Sequence, residues 1–172
     1  MTVLIGLTQQ YLRSRLAVTL GTPKGIILEV KEETGLGQTA NVILLDGVLK
    51  IGDSVVLAKR DGAFLTKVKA IFLPKPLDEM RDPRDRFTSV NEVDAAAGVK
   101  IVTPDLEGVL AGSPLMGLRD LSRLEEVLRQ VESEVKAVFV KTDRSGVIVK
   151  SDTLGSLEAI IDILKHKEVP VR

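Results

Sequence analysis

Residues 32–53 read EETGLGQTANVILLDGVLKIGD. Gly35 and Gly37 bracket Leu36, and glycine-rich loops often cradle phosphate. Such a loop joins a strand to a helix, because the amides of the helix N-terminus meet the anion. Here the glycines lead into the run Thr39 to Leu45, which has strand character and no helical pattern behind it. They read as hairpin punctuation. Asp46-Gly47 and Gly52-Asp53 repeat the signal, since glycine accepts positive φ without a steric cost.

Working outward, the period stays near two from Gly25 to about Leu73. Strands are expected at Ile26–Lys31, Thr39–Leu45, Val48–Ile51, Ser54–Leu57 and Phe64–Leu73, with another turn at Asp61-Gly62. Short, closely spaced strands of this kind predict an antiparallel barrel or sandwich. Residues 74–98 interrupt the pattern. Three prolines and alternating charge exclude a central strand there, so the segment reads as a long excursion. A strand returns at Val99–Val102, and Leu106–Leu115 reads as a turn leading out of the barrel.

Helical periodicity marks both ends of the chain. Val3, Leu4, Leu7, Tyr11, Leu12 and Leu16 give a short amphipathic helix over residues 3–16, which needs a surface to pack on. Leu121, Leu124, Val127, Leu128, Val131 and Val135 form one stripe over 120–136, with Ser122 and Glu125 fitting a capping box. Strands follow at Val138–Val140 and Val147–Val149. A helix from about Leu154 to His166 can be capped by Ser151 or Asp152, and Val169–Arg172 begins another strand. A layered fold needs more material than this. The chain therefore reads as an internal fragment of a larger protein. Its unfinished sheet and its helical stripe are expected to leave apolar surface exposed.

Composition narrows the function. Lys plus Arg equals Asp plus Glu at 24 each, which argues against a strongly basic nucleic-acid module but allows a local basic face. Aromatics are 3%, too few for a base-stacking platform. There is no cysteine, hence no disulfide or thiolate metal site, as suits a reducing cytosol. No apolar run reaches membrane-spanning length and no leader is evident, so a cytoplasmic protein without a membrane partner is expected.

Few constellations suggest chemistry. The chain has no Gly-Lys pair, hence no Gly-x-x-x-x-Gly-Lys-Ser/Thr loop. Asp-x-x-Gly occurs at 105–108, 143–146 and 152–155, where turns and caps account for it. Asp152 to Ser156 opens a helix and could meet an anion, but an ordinary N-cap is the favoured reading. His166 is the only histidine and sits near a helix C-terminus, which leaves no zinc site or triad. In the excursion, Asp78, Glu79, Asp82 and Asp85 interleave with Arg81, Arg84 and Arg86. Either these groups pair among themselves, or the three arginines contact an RNA backbone. No catalytic, cofactor or metal residue is assigned.

The run ILEVKEETGLGQTANVILLDGVLKIGD at 27–53 resembles the second domain of the archaeal and eukaryotic initiation factor five-B family, counterpart of bacterial initiation factor two. The resemblance continues through PKPLDEMRDPRDRF, VDAAAGVKI, LEGVLAGSPL and GVIVKSDTLGSLEAII, and covers nearly the whole chain. It implies a mainly β fold: a translational-GTPase domain-two-type antiparallel β-barrel at 17–117, carrying the excursion. Residues 1–16 would be the tail of a preceding GTPase domain. Residues 118–172 would hold a helix and the truncated start of an α/β/α layered domain. For the full-length factor it implies a GTPase using GTP and magnesium, which helps initiator tRNA and joins ribosomal subunits.

For this piece the resemblance implies no nucleotide site and no enzyme activity of its own. It implies instead a module that docks on small-subunit ribosomal RNA and relays the nucleotide state. Two other readings stand beside it. One is the protein-contact barrel of an elongation- or termination-type translational GTPase. The other is an autonomous enzyme, motivated only by the carboxylates of the excursion.

Overall fold

A computed structural model describes residues 2–12, 21–75, 87–138 and 145–171. Among the described residues ten strands occur: β1 (Lys24–Glu33), β2 (Gly37–Asp46), β3 (Val48–Lys50), β4 (Ser54–Lys59), β5 (Gly62–Lys67), β6 (Ala70–Pro74), β7 (Phe87–Val90), β8 (Glu92–Asp94), β9 (Ala97–Val102) and β10 (Pro114–Leu118). Helix α1 (Thr2–Leu12) precedes them. A 3-10 turn at Leu121–Arg123, α2 (Leu124–Val138) and α3 (Leu154–His166) follow.

Eight strands form one antiparallel sheet in the order β5-β4-β10-β1-β2-β9-β6-β7, and β3 pairs with β8 apart from it. The sheet curls because β5, at one edge, passes through only Val68 and Lys69 into β6, which neighbours the other edge. Its two edge strands are not hydrogen-bonded to each other, so the barrel is not closed by a ladder. Alternation fixes which side chains fill it: Ala40, Val42 and Leu44 of β2 point inward with Ile27, Leu57, Ile71, Ile101 and Leu115.

The opening glycines sit in the β1–β2 hairpin. Glu33 pairs with Gly37, and the Leu36 amide donates to the Glu33 carbonyl at 3.1 Å. Gly35 and Gly37 hold φ of 86° and 72°, which glycine adopts freely.

Several expectations are corrected. Phe64–Leu73 is two strands rather than one. The chain turns a corner at Val68, which is buried and exchanges hydrogen bonds with Asp53 and Gly52. The second half of the proline-rich segment returns as β7 and β8, beyond the last proline of that stretch. Residues 106–115 do not lead away from the barrel. They deliver β10 to the middle of the sheet, between β1 and β4, with Pro114 at the first strand position where its missing amide is tolerated.

Val138 ends α2, and Phe139 and Val140, the rest of the strand expected there, lie outside the described residues; of Val147–Val149 only Val147 bridges, parallel to Val171. The caps also differ. Asp120, not Ser122, accepts the amide proton at the 3-10 turn, and Thr153 caps α3 in place of Ser151 or Asp152. Most of the stripe predicted over 120–136 is covered: Val131 and Val135 are buried and Leu124, Val127 and Leu128 partly so, while Leu121 in the 3-10 turn is exposed. Helix α1 does leave Val3, Leu4, Ile5, Leu7 and Tyr11 exposed.

Candidate nucleic-acid interface and helix–sheet junction

Arg81, Arg84 and Arg86 lie outside the described residues, as do Asp78, Glu79, Asp82 and Asp85. What the structure fixes is the point where that segment leaves and returns. Pro74 at the end of β6 pairs with Phe87 at the start of β7, so both flanks of residues 75–86 are pinned together at one edge of the sheet. That edge is reinforced from the side. Lys100 of β9 is only 4% exposed. Its ammonium pairs with Glu33 of β1 and sits 3.9 Å from the centre of the Phe87 ring. A buried ammonium needs such partners, because its desolvation is otherwise costly. Sequence reasoning missed this group, because the pattern marks Lys100 only as one residue of the strand Val99–Val102.

Next to it on the outer face, Glu29 binds Lys31 at 2.9 Å and accepts from Asn41 at 3.3 Å. The Lys31 hydrogen bond, offset in part by desolvation, lowers the Glu29 pKa. Ile26, Leu28, Ile43 and Leu45 are exposed farther along the same two strands.

The opposite side of the barrel carries α2. Val56, Ala58 and Met116 of the sheet, Val131 and Val135 of α2, and Leu154 of α3 form one buried apolar cluster. Polar contacts set its register. Glu132 accepts the Ala63 amide at 3.3 Å and binds Lys136 at 3.1 Å. The Leu154 amide donates to the Ala111 carbonyl at 3.0 Å, and a Cβ on Gly112 would lie 3.1 Å from that of Leu154.

The remaining sequence candidates are structural where they are described. Asp105 and Gly108 both take positive φ in a turn closed by the Val109 amide and the Leu106 carbonyl. In the 152–155 motif, Thr153 accepts the Ser156 amide at 3.2 Å, an ordinary cap. His166 is exposed, with Nδ1 2.8 Å from the Asp162 carbonyl. No cluster of three or more metal-ligating side chains occurs among the described residues. The Gly35–Gly37 turn joins two strands and does not fit a phosphate cradle. No helix among the described residues is long and apolar enough to cross a membrane.

No family model matches the chain. Curated relatives do. It is 50% identical over 171 residues to a probable translation initiation factor IF-2 of Pyrobaculum neutrophilum, covering 99% of the chain and 29% of that protein. It is 49% identical over 168 residues to one from Thermococcus sibiricus, covering 97% of the chain and 28% of the relative. The crystal structure of GDP-bound aIF5B from Aeropyrum pernix superposes with a TM-score of 0.86 at 42% identity, over 99% of this chain and 28% of that one. The Ski7 GTPase-like domain of S. cerevisiae shares the fold alone, at a TM-score of 0.50 and 12% identity over 70% of this chain and 28% of its own. Over 99% of its length the chain thus belongs to the archaeal IF-2/aIF5B family of translation initiation factors, as the counterpart of a segment spanning under a third of those proteins.

Proposed function

We propose that this chain is a ribosome-docking and relay module of a translation initiation factor, with no GTP site or enzyme activity of its own. In the full-length factor it would accompany a GTPase domain that binds guanine nucleotide with magnesium. It would serve initiator tRNA and ribosomal subunit joining in the cytoplasm. Residues 17–117 would form the barrel domain and 118–172 the start of the next, with 1–16 the tail of the preceding one. The parallel bridge from Val147 to Val171 around α3 supports the layered character of that next domain.

The observation that carries the relay is the junction of α2 with the sheet. Val131 and Val135 share one buried cluster with Val56 and Met116, and Glu132 holds the Ala63 amide. Close-packed interfaces transmit displacement instead of absorbing it. A shift of the barrel would therefore carry α2 with it. Docking would fall to the excursion, where Arg81, Arg84 and Arg86 contact small-subunit RNA from the edge pinned by Pro74 and Phe87. Cosedimentation of the chain with archaeal small ribosomal subunits tests this. Binding that weakens as salt rises is expected, because displaced counterions drive phosphate contacts. Absence of binding at low salt would defeat docking by this module.

A further inference from the structure

Beside the helix–sheet junction lies a cleft of about 210 Å³, lined by Thr22 and Lys24 before and at the start of β1, by Gly117 of β10 and Arg119 just after it, by Arg123 of the 3-10 turn and by Gln130 of α2. Its floor is fixed. The Gly117 amide donates to the Pro23 carbonyl at 2.7 Å, and a Cβ on Gly117 would collide with the Pro23 ring at 2.4 Å. Arg119 is aimed, because its Nη2 donates to the Gly21 carbonyl at 3.0 Å.

The charges of the lining do not cancel. Asp120 is its only acid, and one of its oxygens is taken by the Ser122 amide. Glu126 neutralises Arg123 through two contacts of 2.9 Å. That leaves Lys24 and Arg119 exposed, with no ion pair to either among the described residues.

We infer that this cleft binds a backbone phosphate of RNA, with Lys24 and Arg119 as its anchoring cations. Lys24, Arg119, Thr22 and Gln130 line the cleft beside Met116, Leu118 and Val127; an ammonium, a guanidinium with one Nη2 contact already made to Gly21, a hydroxyl and an amide are donors of the kind that meet the oxygens of a phosphodiester. No aromatic ring lines the cleft, so a base has nothing to stack on and recognition is independent of sequence. The choice of RNA as the source of the phosphate rests on the translation-factor reading. The anion chemistry does not.

Amide spectra of the isotope-labelled chain, titrated with a uridine hexanucleotide, an adenine hexanucleotide, inorganic phosphate and a hexaglutamate peptide, test the proposal. Both RNAs should shift the Lys24, Gly117 and Arg119 amides with affinities within about twofold of each other, and more tightly than inorganic phosphate. Lys24→Gln and Arg119→Gln should each weaken RNA binding roughly tenfold and lower its salt slope by about one. Arg119→Lys, which keeps the charge but loses the fork, should fall between them and the parent.

Silent amides, or unchanged affinity in both Gln variants, would overturn the site. Equal binding of hexaglutamate would overturn RNA in favour of an acidic protein, and equal binding of inorganic phosphate would reduce the cleft to a free-anion site. If these fail while cosedimentation with subunits succeeds, docking stands and lies elsewhere on the chain.

Discussion

Glu132 on α2 accepts the backbone amide of Ala63 at 3.3 Å, across 69 positions of sequence. That hydrogen bond joins the helix to the β4–β5 hairpin, and Lys136 holds the same carboxylate from the next turn. The Lys136 side-chain hydrogen bond first, and the Ala63 amide second, lower the Glu132 pKa. A lowered folded-state value means that the ionised form stabilises the fold. The contribution is complete above the ordinary glutamate range near 4.3 and is lost as pH falls through the folded value. Glu132→Gln should therefore lower Tm at pH 7 relative to the parent, and the difference should shrink near pH 3. Thermal melts of both proteins at the two pH values check this; a difference that persists at pH 3 would assign the effect to packing.

The apolar part of the same junction predicts a larger effect. Val131 is fully buried in the cluster with Val56 and Met116. Val131→Ala should cost about 2 kcal/mol, from lost transfer energy plus a residual cavity. Arg129→Ala, two positions away on the exposed side, should stay within about 0.5 kcal/mol. Urea unfolding of the two variants separates them.

Two glycines of the opening stretch should differ sharply. Gly35 and Gly47 both hold positive φ, 86° and 79°. Around Gly35 there is open space, whereas a Cβ on Gly47 would lie 2.4 Å from the Thr22 carbonyl oxygen. Gly35→Ala should cost about 1–2 kcal/mol, the strain of a left-handed residue alone. Gly47→Ala should exceed about 3 kcal/mol, because the backbone must also move. Comparable unfolding midpoints for the two variants would contradict this reading.

At the edge that flanks the excursion, Lys100 is sandwiched between Glu33 and Phe87. Lys100→Ala should cost about 3 kcal/mol, because it strips a partly shielded carboxylate of its partner. Lys100→Met should cost less, since its stem still packs. A double-mutant cycle with Phe87→Leu should return a coupling of about 0.5–2 kcal/mol for the cation over the ring. Additive effects would mean that the ring contact contributes nothing.

Helix α1 presents Val3, Leu4 and Tyr11 to solvent at 75, 66 and 83%. An 11-residue helix with so little of its apolar surface covered is marginal alone. Its amides should exchange with solvent within the dead time of a hydrogen-exchange experiment, while those of Val42 and Ile101 in the barrel core should be protected up to the global stability.

Period-two patterning with glycine turns was enough to place β1, β2 and β4, because each has a local hairpin partner, and the turns at Gly47 and Gly52 bracketed β3 although it pairs with distant β8. It failed where pairing is long-range. Nothing local in Pro114–Leu118 says that it inserts between β1 and β4, and the corner at Val68 carries no glycine or proline to mark it between Phe64 and Leu73. The caps were misread by one to two residues, since Asp120 and Thr153 compete with neighbours of similar chemistry. Of the candidate site, Arg81, Arg84 and Arg86 stood out by the charge alternation of the excursion, and they lie outside the described residues. Lys24, Lys100 and Arg119 were invisible as site residues, because a lysine or arginine shows its burial or its convergence only once the sheet is built.

Nucleotide-resolution footprinting of small-subunit ribosomal RNA in the presence of this chain addresses docking most directly. A barrel that docks by itself should protect a short, discrete set of backbone positions, and the protection should fade as salt rises. A cleavage pattern unchanged at low salt and at high concentrations of the chain would contradict docking by this module.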